Sequence, residues 1–206
     1  MAGCCGHESR FDGASKDFRR VLILVIAING AMFVTEILAG IAAGSLALQA
    51  DALDFLGDTA TYAISLAVIG MPLLVRARAA LLKGISLAFM GLWVFSSTLY
   101  HVLSTGVPQA EVMGMVGFLA LLANLASVLL LLKYRDGDSN VRSVWLCSRN
   151  DAIGNIAVML AASGVWASGT AWPDLAVAGI MAGLFLWSSL QIIRQARAET
   201  LLAQTA

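Results

Sequence analysis

The sequence predicts an all-α membrane protein with six transmembrane helices and both termini in the cytoplasm. Composition, the length of the apolar segments and the placement of the basic residues support this prediction. Of the 206 residues, 59% are hydrophobic and only 13% are charged, whereas soluble domains carry about 25% charged residues. The formal net charge is zero, so no basic field indicates nucleic acid as a partner.

Six segments are long and apolar enough to cross a bilayer, which takes roughly 20 residues. They are expected at residues 20–43, 46–70, 79–105, 111–133, 142–168 and 173–195. The connecting sequences are short and contain turn-forming residues, among them AGS, GMP and SGTAWP, so successive spans should run antiparallel. We expect three parts: a flexible cytoplasmic arm at 1–17, a transmembrane domain at 18–198 and a short cytoplasmic tail at 199–206.

The lysine and arginine residues predict the orientation of the chain. Twelve of the thirteen lie before the first span, between spans two and three, between spans four and five, or after the sixth span. The loops on the opposite side contain none. Because basic loops remain in the cytoplasm, both termini are expected there. The exception is Arg149 within the fifth span, which either extends to the membrane interface or pairs with an acid.

The stretch DALDFLGD, residues 51–58, places three aspartates inside the second apolar span. A charged side chain at the centre of a span costs about 2.5–3.5 kcal/mol on insertion scales, while a leucine returns only about 0.3–0.6 kcal/mol. The acids must therefore face the interior of the bundle. At about 100° per residue, Asp51, Asp54 and Asp58 fall on one face of the helix.

Asp54 and Asp58 lie one helical turn apart, so both carboxylates can reach one ion. Asp51 lies about 10 Å from Asp58 along the helix axis, so we expect it in an outer vestibule or paired with another span. On the first span, Asn29 and Glu36 are seven residues apart on one face. They either line the path of an ion or connect helices.

The fifth span carries a matching pattern, WLCSRNDAIGN. Cys147 and Asp151 are four residues apart on one face, and Asn155 continues that face by another turn. Two carboxylates from the second span, with a thiolate and a carboxylate from the fifth, would form a tetrahedral set suited to Zn²⁺. The thiolate adds affinity for Cd²⁺. Alternatively, Cys147 is a small apolar packing residue.

The N-terminal arm contains the sequence CCGHE. Its possible metal ligands are Cys4, Cys5, His7 and Glu8. The adjacent cysteines do not have the CxxC spacing that is typical of zinc sites. The arm therefore either captures cytosolic zinc for the transmembrane site or is simply solvated.

The stretches SLALQADALDFLGD and NDAIGNIAVMLAA, with the ending WPDLAVAGIMAGLFLWSSLQIIRQA, resemble the cation diffusion facilitator family of divalent-metal/proton antiporters. The resemblance covers residues 18–198. It implies a single metal ion bound between spans two and five, here by Asp54, Asp58, Cys147 and Asp151. Cys147 stands where the family usually has histidine. If the register differs, Asn150 or Asn155 would replace it as the fourth ligand.

The resemblance also implies a function. It indicates a homodimeric exporter of a divalent metal ion, with zinc as the first choice, that takes up protons in exchange. The expected location is the inner membrane of a bacterium. We expect a short form that lacks the family's usual cytoplasmic domain after span six. The alternative is a membrane metal sensor or assembly subunit that binds without transport. No HExxH, GxSxG or phosphate-binding loop occurs, so an enzyme is not expected.

Overall fold

The structure is a computed structural model that describes residues 15–67, 73–103, 106–135 and 139–205. Six α-helices run through these ranges, and no strand occurs in them. A short 3-10 turn at Leu132–Tyr134 follows the fourth helix. The helices are α1 (Lys16–Ala43), α2 (Leu46–Ala67), α3 (Leu73–Val102), α4 (Ala110–Leu131), α5 (Ser139–Ser168) and α6 (Trp172–Thr205).

The six predicted spans are all present, and the prediction of an all-α membrane protein is confirmed. In the described part of the chain, five helices are long and apolar enough to cross a membrane. The exception is α2. Every stretch of 18 residues in α2 contains its three aspartates, so it carries too many charged residues to be counted with the other five. Because the six helices run in alternating directions, both ends of the described chain lie on the same side of the bundle. Helix α6 continues to Thr205, through the residues expected to form a tail.

Helices α1, α2, α4 and α5 form a four-helix bundle, and α3 packs along α6 beside it. Two hydrophobic clusters close the bundle at its ends. The inner cluster lies on the side of the chain ends and consists of Phe18, Leu22, Val25, Tyr62, Leu131, Tyr134 and Val144. The outer cluster lies on the opposite side and consists of Leu48, Met113, Val158, Ala161, Ala162 and Val165. The acids of α2 lie between these two clusters.

The α3–α6 pair is held by close backbone approach. A Cβ atom on Gly84 would lie 2.8 Å from Cγ1 of Ile193, and one on Gly91 would lie 3.0 Å from Cγ of Leu186. Small residues at such positions allow transmembrane helices to approach closely. Large apolar side chains cover the outward faces; Phe89 of α3 and Trp166 of α5 are among the most exposed. This distribution, polar inside and apolar outside, is that of a protein surrounded by lipid.

The first two helices are joined by a tight turn. Gly44 has φ +67°, a left-handed conformation that glycine adopts without steric cost. The N–H of Ser45 donates to the carbonyl oxygen of Gly40 at 2.9 Å, which satisfies one of the last carbonyl groups of α1. The Ser45 hydroxyl then accepts from the N–H of Leu48 at 3.1 Å and caps the start of α2.

Asp174, at the start of α6, binds the same turn. Its buried carboxylate accepts from the Ser45 hydroxyl at 2.6 Å and from the N–H groups of Leu46 and Ala47 at 2.8 and 3.1 Å. A carboxylate at a helix N-terminus is stabilised by the helix dipole as well as by these bonds. Asp174 therefore fixes the outer end of α2 against α6, and so helps to set the position of the aspartates further along α2.

Replacing Asp174 tests this contact. Asp174→Ala leaves three buried donors without their acceptor, so we expect a loss of roughly 2–4 kcal/mol in the free energy of unfolding. Thermal unfolding of the detergent-solubilised protein measures the loss. Glu111→Ala is the matched control, because Glu111 is an exposed acid in the first turn of α4. Equal stability of the two variants would contradict the role given to Asp174.

Candidate metal centre

The acids of α2 face the interior of the bundle, as their spacing predicts. Asp51 and Asp58 are buried, with 2% and 9% of their surfaces exposed, and Asp54 is partly buried between them. Helix α5 runs antiparallel to α2 and faces this row of acids. Asp151 of α5 brings its carboxyl group within hydrogen-bonding reach of the carboxyl groups of both Asp54 and Asp58. The structure thus gathers three of the four principal predicted ligands.

Asp51 belongs to a separate chain of hydrogen bonds. Its Oδ2 accepts from Nδ2 of Asn155 at 2.7 Å. Oδ1 of Asn155 accepts in turn from Nδ2 of Asn124 at 2.9 Å. This chain joins α2, α5 and α4 on the outer side of the three gathered acids. Asp51 therefore pairs with another span, which is one of the two roles that the sequence leaves open for it.

A small cavity lies among these groups. It is narrow, and it is lined by Asn29, Asp51, Asp54, Phe55, Asn124 and Asp151. Four helices thus contribute to one buried space, and Phe55 is its apolar wall. Asp58 does not line this space and lies on its inner side, toward Tyr62.

The inner side of the site ends at Tyr62. The Tyr62 hydroxyl donates to Oδ2 of Asp58, and it lies 3.4 Å from the Val144 carbonyl oxygen and 3.4 Å from the Ser148 hydroxyl. The ring of Tyr62 is part of the inner cluster. One side chain therefore both binds a candidate ligand and separates it from the inner end of the bundle.

Glu36 of α1 lies next to Asp51. Its side chain is fully buried, and within the described ranges neither carboxyl oxygen accepts a hydrogen bond from an N–H or O–H group. The carboxyl group of Asp51 is its polar neighbour. Two carboxyl groups in contact inside a bundle require a proton or a cation between them, because two bare negative charges would repel strongly there. Glu36 thus connects helices α1 and α2 on the outer side of the cavity.

The remaining predicted residues are placed differently. Asn150 is exposed and accepts a hydrogen bond from Arg149, while Asn155 is bound to Asp51. The guanidinium group of Arg149 lies 5.4 Å from the ring centre of Trp145. Cys147 is part of α5, but its side chain lies outside the described part of the structure, as do Cys4, Cys5 and His7 in the arm.

The structure adds two residues that the sequence reasoning missed, Asn124 and Tyr62. Asn124 is a buried amide in the middle of the apolar helix α4, and a polar residue at such a position is itself a signal of a functional site. Tyr62 gives no comparable signal, because a tyrosine in a span is ordinarily a packing or interfacial residue.

The three carboxyl groups are gathered but are not arranged around an ion. In the part of the chain that the structure describes, no three His, Cys, Asp or Glu side chains have the spacing of ligands around one metal.

Comparison with known proteins assigns the chain to a family. Residues 76–199, more than half of the chain, match the family model described as the cation efflux transmembrane domain. The chain belongs to the cation efflux family. This membership confirms the predicted resemblance, and together with the apolar helices it indicates an integral membrane protein.

Two bacterial members of the cation efflux family are similar over most of the chain. The metal cation efflux system protein CzcD of Cupriavidus metallidurans is 29% identical over 213 aligned positions, which cover 96% of this chain and 65% of that protein. The cation efflux system protein CzcD of an Alcaligenes species is 29% identical over 197 positions, which cover 88% of this chain and 60% of that protein. The chain therefore spans less than two thirds of the length of these relatives.

The hydrogen bond between Tyr62 and Asp58 can be tested by removing a single oxygen. Tyr62→Phe keeps the ring in the inner cluster but no longer orients Asp58, so we expect zinc affinity to fall about tenfold, as for other groups that orient metal ligands. Isothermal titration calorimetry of the detergent-solubilised protein with Zn²⁺ measures this. Tyr134→Phe removes a hydroxyl group from the same cluster and serves as the control. An affinity unchanged in Tyr62→Phe would refute the orienting role.

Proposed function

We propose that this member of the cation efflux family exports a divalent metal ion, with zinc as the first candidate, from the cytoplasm in exchange for protons. The observation that carries the proposal is the meeting of Asp54, Asp58 and Asp151 from two helices between the closed ends of the bundle. Ionisable groups inside a membrane bundle are costly and typically mark the path of an ion. Carboxylates are suitable oxygen ligands for Zn²⁺, and a Cys147 thiolate would complete a four-ligand set.

Exchange follows from the chemistry of these ligands. Carboxylates and thiolates bind a metal only when deprotonated, so metal binding releases protons and metal release takes them up. The contacts of Asp151 with Asp54 and Asp58 suit a proton-loaded site, since two carboxyl groups lie close together only when a proton is shared between them. A metal ion entering the site would displace these protons and separate the carboxylates.

Transport also requires that the site open to one side at a time. The inner cluster closes the bundle below the acids, and the outer cluster closes it above them. Opening of only the inner cluster would admit the ion from the cytoplasm, and opening of only the outer cluster would release it. Transporters with a site near the middle of the membrane work by such rocking of helices around the site.

We further propose that the protein works in the inner membrane of a bacterium as a homodimer. The bacterial relatives support the first part. For the second, large apolar side chains on the outward faces of the helices supply surface for a second copy as well as for lipid.

The alternative function, a metal-binding sensor or assembly subunit, requires only the acids. Vectorial movement of metal distinguishes the two, because a binding protein saturates without accumulating metal inside a vesicle.

Removal of the acids tests the transport site. In proteoliposomes with an acidic interior, we expect Asp58→Ala and Asp151→Ala to lower Zn²⁺ uptake by roughly 100-fold or more, because each variant loses a ligand rather than a group that orients one. A zinc-sensitive dye trapped inside the vesicles measures uptake. Asp17→Ala, which changes an exposed acid in the first turn of α1, should transport like the wild type. Full transport by either site variant would rule out this site.

The side chain at position 147 is expected to set how strongly the site prefers soft metal ions such as Cd²⁺. If its thiolate is a ligand, Cys147→Ser should lower Cd²⁺ uptake about tenfold more than Zn²⁺ uptake, since sulfur is the softer donor. Cys147→His should retain Zn²⁺ uptake, because imidazole is a good zinc ligand. The same vesicle assay compares the two metals. Unchanged uptake of both metals by the serine variant would show that Cys147 is a packing residue.

A further inference from the structure

Two of the residues that line the cavity beside the acids each carry an oxygen atom that has no hydrogen-bond donor. Asn29 and Asn124 are each 1% exposed. In the described part of the chain, the Oδ1 atoms of both accept no hydrogen bond. Both residues line the same cavity as Asp51, Asp54 and Asp151. An unsatisfied buried acceptor costs about 1–3 kcal/mol, so two of them beside three carboxyl groups require an explanation.

The direction of the hydrogen bonds fixes the free oxygen of Asn124. The Oδ2 atom of Asp51 acts as an acceptor here, so Asn155 must turn its NH₂ group toward it. The oxygen of Asn155 then points to Asn124, which must also present its NH₂ group. Asn124 is left with its own oxygen free. The carboxylate at one end of the chain thus determines that an acceptor, not a donor, is free at the other end.

The side-chain oxygen of Asn29 also has no hydrogen-bond donor, but for a different reason. The Nδ2 atom of Asn29 donates to the carbonyl oxygen of Val25, one turn earlier in α1, at 2.8 Å. This bond uses the amide nitrogen and leaves the oxygen of this cavity-lining residue without a donor. Two amides on different helices, α1 and α4, are therefore both oriented with the oxygen unpaired. A cation in the cavity would satisfy both of them together with the carboxylates.

We propose that Asn29 and Asn124 supply two further oxygen ligands to the transported ion, beside the carboxylates of Asp54 and Asp151. The inference rests on the proposed function and extends its substrate class from zinc to ions that prefer more oxygen ligands. Two additional oxygens allow the site to bind ions that take five or six oxygen ligands, of which Mn²⁺ is the representative, as well as four-coordinate zinc. Carboxylate and carbonyl oxygens are the ligands that Mn²⁺ prefers. The amides are then the residues that widen metal selectivity.

The charge of the ligands also favours this assignment. Apart from the carboxyl groups, the polar residues that line the cavity are the two amides. They carry no charge, so they add ligands without adding the repulsion that another buried carboxylate would bring.

The test compares two metals in the full-length protein. Binding of Mn²⁺ is followed by the loss of the free-ion signal in electron paramagnetic resonance, and binding of Zn²⁺ by calorimetry. We expect the wild type to bind both ions. Asn29→Leu and Asn124→Leu, which keep the side-chain volume, should weaken Mn²⁺ binding roughly 10- to 100-fold and Zn²⁺ binding less than about threefold. Asn29→Asp retains an oxygen and should retain Mn²⁺ binding. Gln109→Leu, at an exposed amide immediately before α4, is the control.

Each outcome decides the inference. Selective loss of Mn²⁺ binding in the leucine variants, with rescue in Asn29→Asp, supports it. Equal weakening of both metals in variants that elute as the wild type does on size exclusion overturns it, since that result indicates a structural role for the amides. Failure of the wild type to bind Mn²⁺ also overturns it, but zinc transport and the proposed function would stand. Failure to bind either metal would overturn both.

Discussion

The structure depends on one constraint: carboxyl groups inside a membrane must be surrounded by protein rather than lipid. Helix α2 carries three of them within two turns, so it is tolerated only where other helices cover its polar face. The bundle of α1, α2, α4 and α5 provides this cover. Asp151 lies against Asp54 and Asp58, Asn155 binds Asp51, and Tyr62 binds Asp58. The pairing of α2 with α5 is thus required by the acids themselves.

The polar interior is organised in levels along the bundle. Glu36 and Asn155 form the outer level, the cavity between Asp51, Asp54, Asn124 and Asp151 forms the middle, and Asp58 with Tyr62 forms the inner level. Hydrophobic clusters lie beyond each end. In a low-dielectric interior, each polar group strongly influences its neighbours. A change of charge at the middle level will therefore alter the electrostatic energy of the polar groups at the other two levels. This coupling is expected of a site that exchanges one cation for another.

The α3–α6 pair has a different role from the bundle. None of its described residues lines the cavity, yet Asp174 of α6 holds the outer end of α2. Residues Leu46 and Ala50 of α2 also pack against α6 in one hydrophobic cluster with Val94 of α3. The pair is therefore a lateral support that fixes one end of the acid-bearing helix, while the inner end of α2 packs within the bundle.

The sequence alone determined the six helices, their antiparallel order and the face of α2 on which the acids lie. These features depend on local properties: a run of about 20 apolar residues needs a helix to cross lipid, and the helical repeat places residues three and four apart on one face. The sequence also predicted that Asp151 and Asn155 lie on one face of α5. The resemblance to the cation efflux family was also predicted from the sequence, and the match of residues 76–199 to the family model confirms it.

Only the tertiary structure decided which groups meet. Whether Asp51 shares the site of Asp58 depends on the register of α2 against α5, and the structure joins Asp51 to Asn155 and Asn124 instead. The contribution of α4, the binding of Tyr62 to Asp58 and the capping of α2 by Asp174 are likewise contacts between distant parts of the chain. Sequence periodicity describes one helix at a time, whereas the direction of each hydrogen bond here is set by the neighbouring helix. The free oxygens of Asn29 and Asn124 exist only because their nitrogens are used elsewhere, and that is a property of the assembled bundle.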